Sequence, residues 1–128
     1  MSVGSGVEHA EGGANEKGVF VQGFQIWINV PAGRKMDDPR YGTVPTADLP
    51  LIQINPGVTA RVLAGKTLGT EGPFQTVQEV EMVDFELQEN AIAEFDVGQG
   101  LDTVMIYVYE GSLDDLNGSG PLKAVRLF

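Results

Sequence analysis

His9-Ala10-Glu11 carries the clearest chemistry in the chain. On a strand, residues i and i+2 share a face, so this imidazole and this carboxylate would meet one metal ion. The competing reading of the pair is a solvated tail. His9 is the only histidine among 128 residues, and there is no cysteine. Lack of thiols excludes disulfide scaffolds, thiolate-bound zinc, iron–sulfur clusters and cysteine nucleophiles. One imidazole excludes any site within the chain that is built on several.

Two further patterns imitate known sites. Ala60-Arg61-Val62-Leu63-Ala64-Gly65-Lys66-Thr67 fits the relaxed nucleotide-binding spacing, a small residue and four spacers before Gly-Lys-Thr. A phosphate cradle needs Gly-rich backbone after a strand and a helix starting at the lysine. Here the spacers are themselves strand-like, and Leu68-Gly69-Thr70-Glu71-Gly72-Pro73 does not continue as a helix, so the segment reads as a strand ending in a turn. Asp115-Leu116-Asn117-Gly118-Ser119-Gly120 copies the first half of a calcium loop, with oxygens at positions one, three and five. Its twelfth position is Arg126 instead of glutamate, and no helix flanks it, so a tight hairpin turn is the better reading.

The charge balance narrows the partners. Eighteen acidic against eight basic residues leave a net charge of −10. Such a chain repels phosphate, which argues against direct nucleic-acid binding and favours protein partners with basic surfaces. At 42% hydrophobic it has the apolar content to fold. Its length suits one domain burying roughly two-thirds of its extended-chain surface. The first six residues have no positive segment followed by an apolar run, and no stretch nears the roughly 18 to 20 apolar residues of a membrane helix. A soluble cytoplasmic protein is the expectation, nuclear in a eukaryotic setting. The sequon at Asn117 has no secretory context to give it meaning.

The elements that would position these residues are strands. Seventeen glycines and seven prolines leave little room for helices. No window of a dozen residues repeats its apolar positions at three-and-four spacing, whereas period-two windows are common. Between residues 19 and 30 one face carries Phe20, Phe24, Ile26, Ile28 and Val30, interrupted by Gln22, and the other Gly23, Gln25, Trp27 and Asn29. Val58, Ala60, Val62 and Ala64 alternate with Thr59 and Arg61; Val83, Phe85 and Leu87 with Asp84 and Glu86; Ala93, Phe95 and Val97 with Glu94 and Asp96. Residues 104–109 are apolar on both faces and read as a central strand covered on each side. Residues 124–128 complete the series as a last strand. Turn signals fall at 88–90, 98–100 and 114–120. Residues 31–56, with five prolines, read as an ordered connector holding one helical turn near Thr46-Ala47-Asp48, with Thr46 as its cap.

An ordered series of blocks resembles the pirin family. These are Gly6-Val7-Glu8-His9-Ala10-Glu11, then Val21-Gln22-Gly23-Phe24-Gln25-Ile26-Trp27-Ile28-Asn29-Val30-Pro31, then Lys35-Met36-Asp37-Asp38-Pro39-Arg40-Tyr41. Gly57-Val58-Thr59, Val62-Leu63-Ala64-Gly65 and Val83-Asp84-Phe85-Glu86-Leu87 continue it, and the match fades after Gly111. The resemblance implies a bicupin, two β-barrel domains with one iron held in the first by three histidines and one glutamate. Some members are quercetin 2,3-dioxygenases, and some eukaryotic members are nuclear transcription co-regulators acting through protein partners. By motif position His9 matches the last metal-binding histidine and Glu11 the metal-binding glutamate. Gly12-Gly13 stands where the family has Met-Pro.

On that resemblance the fold class is mainly β, a cupin-like sandwich or barrel forming one compact unit over 1–128. Residues 1–31 match the end of the first cupin, 32–57 the connector and 58–128 part of the second. The family's His-x-His ligands would lie ahead of residue 1. With His9 alone, the chain offers only His9 and Glu11 as metal ligands and no catalytic residue, so iron is absent or weakly held. The reading is therefore a pirin-like, catalytically inactive binding module. The alternative is an iron-dependent quercetin 2,3-dioxygenase-type oxidoreductase, its metal shared between subunits that each supply His9 and Glu11. Barrel strands without their neighbours expose edges and apolar faces around Phe24 and Trp27, which predicts a homo-oligomer.

Overall fold

The computed structural model describes residues 1–10, 23–114 and 121–123. Contacts divide the chain into two units, Met1–Gly98 and Gln99–Phe128. The protein is mainly β, as its alternation predicts. Among the described residues the helical elements are two single 3₁₀ turns, and no helix is long and apolar enough to cross a membrane.

The centre of the first unit is β2 (Val58–Ala64), flanked by β1 (Leu51–Asn55) and β5 (Met82–Leu87) in an antiparallel sheet of order β1-β2-β5. Strand alternation sends Val58, Ala60, Val62 and Ala64 to one side, and all four are buried. The register sets like against like on that side: Val58 opposite Leu87, Ala60 opposite Phe85 and Ile52, Val62 opposite Val83. Val58 and Val62 are 0% exposed, and burying each contributes about 1.5–3 kcal/mol. On the opposite side Arg61 faces Asp84 across the strands at 3.6 Å, each about one-third exposed. The ladder shifts register at Ile54 in β1 and at Leu63 in β2. Beyond the second shift Ala64 pairs with both Met82 and Phe74, and the Phe74 N–H donates to the Leu63 carbonyl at 3.0 Å.

The turns follow from their residues. Pro56-Gly57 closes the β1–β2 hairpin, with proline presetting the first turn position. β3 (Lys66–Thr67) and β4 (Thr70–Glu71) form a second hairpin closed by Leu68 at φ 50° and Gly69 at φ 70°, both positive as a type I′ turn requires. Gly65 enters that hairpin at φ 80°, and a Cβ there would lie 2.1 Å from the Val80 carbonyl oxygen. Only glycine fits the position.

In the second unit, β6 (Ser112–Leu113) pairs antiparallel with β7 (Leu122–Lys123), Ser112 opposite Lys123 and Leu113 opposite Leu122.

Several expected elements differ. Residues 23–30 form no strand, although the period-two pattern predicts one, and Phe24, Ile26, Trp27 and Ile28 stand exposed. Alternation marks a strand's faces but does not supply a neighbour to complete its ladder, and no described strand lies alongside. Residues 104–109 likewise form no strand, and Val104, Met105, Ile106 and Tyr107 are exposed. A strand apolar on both faces needs covering layers, and the two-residue strands of its unit supply none. At 93–96 the alternation holds, with Ala93 and Phe95 half-buried and Glu94 and Asp96 exposed, but Val97 is exposed as well and no ladder forms. The connector does hold a 3₁₀ turn at Thr46–Asp48, but its cap position is Pro45 and no side chain caps it, so Thr46 is the first helical residue. The connector also contains β1, which its prolines hid. The expected strand at 124–128 and the turn at 115–120 lie outside the described residues.

Candidate functional site

His9 sits at the end of a lead tied to the block at 34–40. Ser2 and Arg40 exchange both backbone hydrogen bonds, at 2.8 and 2.9 Å, and the Ser5 N–H donates to the Asp37 carbonyl at 2.9 Å. Gly4 makes that approach possible, since at φ 52° a Cβ would lie 2.1 Å from the Asp37 carbonyl oxygen. The block itself is organised by a 3₁₀ turn at Ala32–Arg34, by an ion pair from Arg34 to Asp37, and by Lys35 Nζ donating to Asn29 Oδ1 at 3.0 Å. Met36, Asp37, Asp38 and Arg40 line a shallow depression of about 430 Å³. Its signal in the sequence was the dense run of both charge signs around Pro39.

His9 is exposed and belongs to no strand, and Glu11 lies outside the described residues. Among the described residues no group of three or more histidine, cysteine, aspartate or glutamate side chains is placed to hold a metal. Across the whole sequence the donor set contains one imidazole. A site needing three histidines and a glutamate therefore does not fit this chain taken alone.

The Gly65-Lys66-Thr67 segment is a turn leading into a hairpin. Lys66 is exposed and pairs with Glu71 in the ladder, Thr67 is buried, and no helix starts at the lysine. Backbone N–H groups are thus spent on β pairing instead of converging on a phosphate, as the sequence reading expected.

An antiparallel sheet with a single buried face, closed by short hairpins, defines a mainly β protein whose charged block and lead pack together. The sequence comparisons extend this. The chain is 34% identical over 115 residues to a pirin-like protein of Caulobacter vibrioides, covering 88% of this chain and 41% of that protein. It is 32% identical over 111 residues to Pirin-1 of Arabidopsis thaliana, covering 87% of this chain and 37% of the relative. A Pseudomonas aeruginosa protein named as a candidate quercetin 2,3-dioxygenase is 31% identical over 131 residues, covering 96% of this chain and 44% of its own length. No family model and no solved structure matches. The chain belongs to the pirin family. It spans about two-fifths of the length of the curated relatives it matches.

Proposed function

We propose that this chain is a pirin-like binding module that does not by itself hold a catalytic iron. One observation carries the reading: the sequence contains a single histidine, His9. Oxygen activation on iron needs firm coordination together with open positions for substrate and dioxygen. His9 and Glu11 would leave most of the coordination sphere to water, at low affinity. The net charge of −10 turns the module toward protein partners with basic surfaces and away from DNA itself. Elemental analysis of the purified chain tests this. Iron far below one per chain, with no oxygen uptake when a flavonol is added, is expected. Near-stoichiometric iron that is lost in His9→Ala overturns it.

A second reading is favoured by the name of the Pseudomonas relative. In it, two chains each contribute His9 and Glu11 to one metal, and the assembly oxidises a flavonol-type substrate. This reading requires one iron per two chains and flavonol-dependent oxygen consumption that His9→Ala abolishes.

A further inference from the structure

We propose that residues 24–30 pair antiparallel with the same residues of a second copy, about a twofold axis at Trp27. The inference goes beyond the binding-module reading, whose partner has a basic surface, and concerns how copies of the chain associate. These residues form no strand within the described chain, yet apolar side chains recur at every second position and residues 24–29 are exposed, with Trp27 86% and Ile26 61% exposed.

Charge argues for a second copy at this place. Two chains of net charge −10 repel one another over most of their surfaces. Residues 18–33 contain no charged side chain, the longest such run in the sequence. Contact there brings no acidic side chains of the stretch together, and each copy carries the Lys35 ammonium on Asn29 Oδ1 at its end.

The pattern is also self-complementary. A twofold axis at Trp27 sets Phe24 against Val30, Gln25 against Asn29, Ile26 against Ile28 and Trp27 against itself. Each pair matches apolar with apolar, amide with amide, or ring with ring, as stable cross-strand pairs do. Slipping the register by one residue sets Phe24 against Asn29 and mixes the two faces. Slipping by two sets Gln22 against Val30. Pro31, which cannot donate to a ladder, marks the end of the paired stretch. An isologous contact of this kind closes at two copies.

Sedimentation velocity on the full chain, from about 1 µM to about 1 mM, reads the association. A monomer–dimer equilibrium is expected, with the emission of Trp27, the only tryptophan, moving to shorter wavelength as dimer forms. Ile26→Lys adds one cation beside the axis on each copy, in place of an apolar pair, and is expected to raise the dissociation constant at least about tenfold. Amide-exchange protection of β2 reports that the sheet is intact in that variant. The register has its own test, because the chain has no cysteine. Trp27→Cys is expected to cross-link to itself under mild oxidation. Gln25→Cys is not, since in this register its copy lies about 13 Å away along the strands, beyond the roughly 7 Å limit for a disulfide. Monomer throughout the series, a dimer indifferent to Ile26→Lys, or equal cross-linking at 25 and 27 overturns the proposal. A monomer with little iron overturns the dimer alone; a dimer in which each chain carries its own iron overturns the functional reading alone.

Discussion

Phe85 and Phe95 meet edge to face, their ring centroids 5.6 Å apart and their planes at 81°. Phe85 is in β5, while Phe95 is in a stretch that alternates like a strand but joins no ladder. The ring contact, together with the Gly98 N–H donating to Glu81 Oε2 at 3.3 Å, holds that stretch against the sheet in place of strand hydrogen bonds. Phe95→Ala should destabilise the first unit by about 2 kcal/mol, below the full cost for a buried phenylalanine because Phe95 is only half-buried. Phe95→Leu should cost about 1 kcal/mol, keeping apolar area but losing the ring geometry. Urea unfolding followed by circular dichroism measures both; equal losses in the two variants would remove the ring geometry from the explanation.

Which parts of this arrangement could be read beforehand follows from what alternation encodes. Val58 to Ala64 and Val83 to Leu87 were legible because both strands find partners within the chain, so period two and hydrogen bonding agree. Phe24, Ile26 and Ile28 carry an equally clean pattern, but a pattern specifies a face and leaves the neighbour unspecified. β1 is hidden in the sequence for the opposite reason: Pro50 and Pro56 bracket it, and its five residues are too few for periodicity to outweigh them. For the candidate site, His9 was legible as chemistry. The tie from Ser2 to Arg40 was not, because backbone pairing between separated loops leaves no residue-type signal.

The glycines at 65 and 69 separate two causes of intolerance. Both have positive φ, 80° and 70°, but only Gly65 has backbone in the way of a Cβ. Gly69→Ala should cost about 1 kcal/mol, the conformational penalty alone. Gly65→Ala should cost about 3 kcal/mol or more, because the Val80 carbonyl must also move. Paired thermal unfolding curves compare them, and similar midpoints would deny any role to the close approach.

Leu68 is strained in the opposite sense. At φ 50° it occupies the first central position of a type I′ turn, where asparagine or glycine is preferred over a side chain such as leucine. Leu68→Asn should therefore stabilise the β3–β4 hairpin by about 0.5–1 kcal/mol. Lys66 and Thr67 would keep their register with Glu71 and Thr70. A rise in denaturation midpoint, with unchanged slope, is the expected result; a fall would mean that the leucine side chain contributes packing that outweighs its backbone strain.

Asn55 fastens the β1–β2 turn to the loop after β5. Its Oδ1 accepts from the Gly57 N–H at 3.0 Å, and its Nδ2 donates to the Ile92 carbonyl at 2.9 Å. The same loop is held from the other side by the Gln88 N–H donating to the Gly57 carbonyl at 2.9 Å. Asn55→Asp keeps the acceptor for Gly57 and loses the donor for Ile92, so it should cost about 1 kcal/mol. Asn55→Ala loses both and should cost about 2 kcal/mol. Amide exchange localises the effect: in the aspartate variant protection at Gly57 should persist, whereas in the alanine variant it should fall together with that of Gln88. Loss of Gly57 protection in both variants would show that the turn depends on its link to Ile92 and not on its own side-chain bond.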